Sequence, residues 1–281
     1  MVASVNGHHQ VVELLLKEHV DINTQKEDGL TALMLASQHG HYKTKNGVTA
    51  LIVASLNGHT KVVELLLKEH ADVNLQVNNG MTALMLASHN GHHQVVELLL
   101  KEHADINIRK KNGGTALILA SQSGHHQVVE LLVKEHADIN LQTKNGLSAL
   151  ILASYNGHHQ VVELLLKEYA DINTQNEDGE NALMLASQNG HHQIIELLIK
   201  EHADINTQKE GGRTALMLAS EKGHLQVIEL LIKEDADINL QAKNGVTALM
   251  LASFKGHHQV VELLLKERAN VNTQKEDGWT P

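Results

Sequence analysis

Residues 79–111 read NGMTALMLASHNGHHQVVELLLKEHADINIRKK. The stretch opens on an Asn-Gly turn, enters a short apolar segment through Thr82, and turns again at Gly91-His92. It then carries a longer apolar segment before a polar return. The register repeats: glycine closes an Asn-Gly, Asp-Gly or Gly-Gly pair at 47, 80, 113, 146, 179, 212, 245 and 278, always 33 residues apart. A fixed period of this length marks a solenoid, because one such unit cannot bury its own apolar face and must stack on its neighbours. The fold class expected is all-α, a curved stack of helix-turn-helix units joined by β-hairpin-like turns.

Local chemistry agrees with that register. Asn-Gly and Asp-Gly favour two-residue turns with positive φ, which predicts a row of tight turns along one edge. Thr31, Thr49, Thr82, Thr115, Ser148, Asn181, Thr214 and Thr247 each stand one residue before the first apolar segment, where a side-chain oxygen caps a helix. In the second helix Val95, Val96, Leu98, Leu99 and Leu100 form a broad apolar face. Glu97 and Lys101 sit one turn apart on its other side, and the pair recurs from Glu13/Lys17 to Glu262/Lys266. Each exposed pair contributes only ~0.2–0.5 kcal/mol, so these pairs read as a solvated face and not a site. Small residues such as Ala83 and Ala87 thin the first helix relative to the second. That wedge predicts curvature toward the first helices and a concave surface ~60–70 Å long.

The repeat frame divides the chain into a partial unit at 1–27, a truncated unit at 28–45, seven complete units at 46–276 and the opening of another at 277–281. The truncated unit lacks a second helix, which predicts a local defect there. The ends lack the polar outer faces that terminal units need, so the sequence reads as a fragment of a longer array.

The period and the frame G-x-T-A-L-x-x-A-S-x-x-G-H-x-x-V-V-E-L-L-L-K-x-x-A-D-I-N resemble the ankyrin repeat over nearly the whole chain. The resemblance implies a non-catalytic interaction surface and names no partner. Two departures stand out. The family's T-P-L-H is here Thr-Ala-Leu-Met or Thr-Ala-Leu-Ile, as at Thr82–Met85 and Thr115–Ile118, which removes the proline's preset φ and softens helix entry. The glycine that the family places before Ala-Asp, in the left-handed region, is replaced by His19, His70, His103, His136, Tyr169, His202, Asp235 and Arg268. A side chain there costs about 1 kcal/mol relative to glycine.

Histidine is abundant, with 22 residues. One ladder, His41, His59, His92, His125, His158, His191, His224 and His257, matches the family's Gly-His turn, where a ring is expected to bridge loop backbones. A second, His93, His126, His159, His192 and His258, lies four residues before a helix glutamate. His-x-x-x-Glu supplies at most two metal ligands, and neither His-Glu-x-x-His nor a cysteine spacing accompanies it. No metal or cofactor is expected. Acid is expected to destabilise the stack: protonating every histidine reverses the net charge, and neighbouring imidazolium groups repel.

Formal charge is −10, with no Lys/Arg stripe evident, which argues against a nucleic-acid partner. No apolar run approaches the ~20 residues of a membrane span and the start MVASVNGHHQ is unlike a leader, so an intracellular, cytoplasmic monomer is the expectation. Zero cysteine fits a reducing compartment. No nucleophile, base and orienter recur as a catalytic set, and no phosphate-binding glycine motif occurs, so the chain is not expected to be an enzyme.

Among near-identical units, the variable positions carry the information. They are the residue after each turn glycine and the pair late in the first helix. Three of the five aromatic residues, Tyr155, Phe254 and Trp279, fall in these tracks. The expected partner-binding set on the concave face and turn tips is Tyr155, Glu180, Arg213, Glu221, Lys222, Phe254 and Lys255, since exposed aromatics and arginine anchor interfaces. Two alternatives are a histidine-based pH- or metal-responsive module and a recruiting or spacer segment of a larger protein.

Overall fold

The computed structural model describes residues 49–273 together with Gln10, Glu13 and Leu14. The truncated unit at 28–45, most of the partial unit before it, Thr31, His41 and the stub with Trp279 lie outside the described residues.

Helix entry is set by the side chain before the first apolar segment. Thr49, Thr82, Thr115, Ser148, Asn181, Thr214 and Thr247 hold extended backbone, and each accepts from the backbone N–H three residues on at 2.9–3.3 Å. Each such cap contributes about 1 kcal/mol. The first helices they open are α1 (Ala50–Leu56), α3 (Ala83–His89), α5 (Ala116–Ser123), α7 (Ala149–Asn156), α9 (Ala182–Asn189), α11 (Ala215–Lys222) and α13 (Ala248–Lys255). The second helices are α2 (Thr60–Lys68), α4 (His93–Lys101), α6 (His126–Lys134), α8 (His159–Lys167), α10 (His192–Lys200), α12 (Leu225–Lys233) and α14 (His258–Lys266).

Second helices end without glycine. His70, His103, His136, Tyr169, His202, Asp235 and Arg268 all adopt φ of 59–65°, and the following alanine N–H returns to the carbonyl five residues back, as Ala104 N to Leu99 O at 3.0 Å. The left-handed conformation expected from the glycine-less sequence is therefore present at every described unit.

The turns differ from the two-residue form the sequence suggested. Gly113 N donates to Lys110 O at 2.7 Å and Lys110 N to Gly114 O at 2.9 Å, with positive φ at Gly113 but not at Asn112. This is the longer hairpin loop in which a glycine bulge follows the turn. The asparagine instead bends back through its side chain, as Gly114 N donates to Asn112 Oδ1 at 3.1 Å.

The chain forms two compact units that divide at Lys144–Asn145, a repeat boundary. In the first, α1, α3 and α5 pack in succession, each against its own second helix. In the second, α7, α9, α11 and α13 do the same. Within each unit the first helices approach one another more closely than the second helices do, as the small alanines of the first helix allow. The core is aliphatic: Leu84, Met85, Val96 and Leu99 of one repeat are at most 1% exposed, as are Leu150, Ile151, Val162 and Leu165 of another. Besides the buried capping residues, a serine late in the first helix is buried in six of the described repeats. Ser55, Ser88, Ser121, Ser154, Ser187 and Ser220 are fully buried, and their hydroxyls have no hydrogen-bond partner.

Candidate interaction surface

Successive repeats are tied at their polar edge by three ladders of side chains. In the first, the ring Nε2 of His92, His125, His191, His224 and His257 lies 2.9–3.0 Å from the carbonyl of Leu56, His89, Tyr155, Gln188 and Glu221, respectively. Those carbonyls belong to the last turn of the preceding first helix, where backbone acceptors lack intrahelical partners. The ring fits because the preceding turn residue is glycine: a Cβ on Gly91, where φ is 74°, would meet His125 Nδ1 at 2.6 Å. The histidines of the Gly-His turn thus bridge loop backbones as their sequence position implied.

The second ladder is asparagine. Asn74, Asn107, Asn173, Asn206 and Asn239 each accept, through Oδ1, from the backbone N–H of Asp105, Asp138, Asp204, Asp237 and Asn270 in the next return loop, at 2.8–3.1 Å. The third runs under the turns, where Gln208 Nε2 donates to both Gly212 O at 2.7 Å and Gln241 O at 3.0 Å. Arg109 does the equivalent from its guanidinium, to Gly113 O at 3.2 Å and to Gln142 O. Sequence reading had assigned no role to these asparagines and glutamines. Their recurrence at fixed offsets was the available signal.

The helix-surface pairs are local and weak. Lys68 hydrogen-bonds Glu64 at 3.0 Å and Lys101 bonds Glu97 at 2.8 Å. These lysine bonds hold both carboxyl groups below the usual glutamate range. In the second histidine ladder, His192 Nδ1 lies 3.8 Å from Glu196. Among the described residues no three of His, Cys, Asp or Glu converge as a metal-binding group.

The expected partner-binding residues all fall in the second unit, and the structure brings some of them together. Arg213 donates to Glu221 at 2.7 Å, joining the turn tip to the first helix of the same repeat. Glu180 pairs at 2.6 Å with Lys209, a residue the sequence reading had passed over. Lys255 Nζ stands 5.6 Å from the centre of the Phe254 ring. Phe254 is 78% exposed and Tyr155 46%, whereas Tyr169, the most exposed aromatic residue described at 90%, stands at the end of a second helix and outside this set. Lys222 is exposed at the end of α11. Tyr155 enters the network only through its backbone carbonyl, which receives His191.

The first unit holds a feature missed when net charge alone was considered. Arg109-Lys110-Lys111 is a basic run in an otherwise acidic chain, and the structure sets it on the turn edge beside Lys144, whose N–H donates to Asn112 O at 2.7 Å.

The model of ankyrin repeats in three copies matches residues 1–45, 42–110, 102–176, 169–242 and 234–281. The chain belongs to the ankyrin-repeat family. Ankyrin repeats are non-catalytic modules that bind other proteins, and the stacked helix pairs of each unit have that architecture. A segment of 41 residues is 49% identical to the probable E3 ubiquitin-protein ligase XBOS32 of Oryza sativa subsp. japonica. That match covers 15% of this ankyrin-repeat chain and 8% of the rice protein, so it assigns no ligase activity here. Among the described residues no helix is long and apolar enough to cross a membrane.

Proposed function

We propose that this ankyrin array is a protein-interaction scaffold whose partner contacts Tyr155, Glu180, Arg213, Glu221, Lys222, Phe254 and Lys255 on the exposed side of the first helices and the turn tips. The observation that carries the reading is Phe254. A phenylalanine left 78% exposed at the end of a first helix whose other large apolar side chains are buried gains substantially from a partner that covers it. The Arg213–Glu221 and Glu180–Lys209 pairs hold four charged groups in set positions, so a partner meets a preorganised polar rim.

The test is affinity capture with the whole chain, compared with the Tyr155→Ala/Phe254→Ala variant. A protein partner lost in the variant, while its melting temperature stays at the wild-type value, supports the surface. Capture of the same partner with undiminished affinity refutes it.

A further inference from the structure

We propose that the turn edge of the first unit, built around Lys110, Lys111 and Lys144, docks an acidic peptide segment of a partner protein. The site lies apart from the residues of the preceding proposal and does not depend on them.

Equivalent positions in the two units show why. In the second unit two turn cations meet a carboxylate of their own chain, Lys209 with Glu180 and Arg213 with Glu221, while Lys243, at the repeat position of Lys144, is exposed as Lys144 is. Three repeats earlier in the same frame, Lys110 stands at the position of Lys209, but Met81 occupies the position of Glu180. Gly114 and Gln122 likewise replace Arg213 and Glu221. Across the turn residues 76–81, 109–114 and 142–144 every charged side chain is basic. The return-loop carboxylates Asp105 and Asp138 accept from the N–H groups of Asn107 and Asn140 at 3.0 and 3.1 Å.

The cluster is also held in place. Arg109 spends its guanidinium on the carbonyls of Gly113 and Gln142, which lashes neighbouring turns together and leaves the lysines as the free cations. The Lys110 stem lies over Gly114, with Cε 2.8 Å from where a Cβ would stand, so the missing side chain is what lets the lysine follow the turn. Its ammonium reaches the first-helix side, where it adds to burial and to His125 in holding His89 below the usual histidine range. Lys111 and Lys144 are exposed on the adjoining turns.

A positive edge on a chain of charge −10 selects for a local, short anion. A long polyphosphate would bring its own charge against the rest of the molecule, and residues 49–144 contain no Phe, Tyr or Trp on which bases could stack. An acidic peptide of a few carboxylates satisfies the lysines without either difficulty.

The experiment is fluorescence polarisation of a short fluorescein-labelled oligoglutamate with the whole chain at about 0.05 M salt, repeated at about 0.5 M, where exposed charges are strongly screened. The expected result is saturable binding that weakens at high salt and falls roughly tenfold in Lys110→Gln/Lys111→Gln. Lys134→Gln/Lys167→Gln, which removes the same charge from second helices, should leave binding unchanged. Thermal melts confirm that both variants fold. No saturable binding by the wild type overturns the proposal, and so does equal weakening in the two variants. Labelled single-stranded DNA binding as tightly as oligoglutamate also overturns it, in favour of a nucleic-acid surface.

Discussion

Replacing Ser121 with alanine is expected to make this protein more stable. The Ser121 hydroxyl is fully buried and unpartnered in the middle of α5, so its desolvation is not offset by a hydrogen bond. Leaving a hydroxyl in that state costs about 1–3 kcal/mol. Alanine is also the better helix former by up to ~0.7 kcal/mol. Against this stands the loss of the contacts made by one oxygen atom, a void smaller than a methyl group, which costs no more than about 1 kcal/mol. The net gain is about 1 kcal/mol, read as a higher urea midpoint at unchanged slope. Ser253 occupies the same repeat position in α13 but is only half-buried and is absent from the unpartnered set, so Ser253→Ala should gain less. A fall in midpoint for Ser121→Ala, with Ser253→Ala neutral, would refute the reasoning. It would mean that the buried hydroxyl donates to the carbonyl one turn back in solution.

Other consequences are equally measurable. His103→Gly and His136→Gly relieve left-handed backbone at φ 60° and 64°, and each should raise stability by about 1 kcal/mol in the same urea assay. His125→Ala removes the ring that meets the His89 carbonyl at 2.9 Å and leaves that helix end uncapped, a loss of about 1–3 kcal/mol by thermal melt. Burial, His125 and Lys110 together lower the His89 pKa from 6.5. Because the folded state disfavours its proton, the stability tied to His89 is intact above 6.5 and is lost as pH falls from there through the lowered folded value. His89→Gln should therefore flatten the pH dependence of the melting temperature below pH 6.5 and leave it unchanged above.

Much of this fold was legible because its determinants are local and repeated. The side chain before each first helix announces a cap wherever it is Thr82, Ser148 or Asn181, and the chain delivers that cap each time. Asn-Gly told of a turn but not of its length, since the same dipeptide serves a two-residue loop or a bulged one. What decides is whether asparagine itself takes positive φ, and Asn112 does not. The candidate surface was less legible. Choosing exposed variable positions found Phe254 and Tyr155, yet pairing depends on which side chains the stacking brings within reach. Glu180 was read only as a partner contact and meets Lys209, which lies almost a full repeat away in sequence. Whole-chain charge hid the Lys110–Lys111 edge, because a sum discards position.

The histidine bridges have a consequence for the order in which the protein becomes complete. Five first helices, α1, α3, α7, α9 and α11, expose a last-turn carbonyl that is met by a ring 36 residues downstream. On the ribosome, a repeat that has already wound its helices therefore waits with an open end until most of the next has emerged. Maturation passes along the chain as a wave trailing synthesis by one unit, and a stall in translation strands one unfinished edge, at the newest repeat.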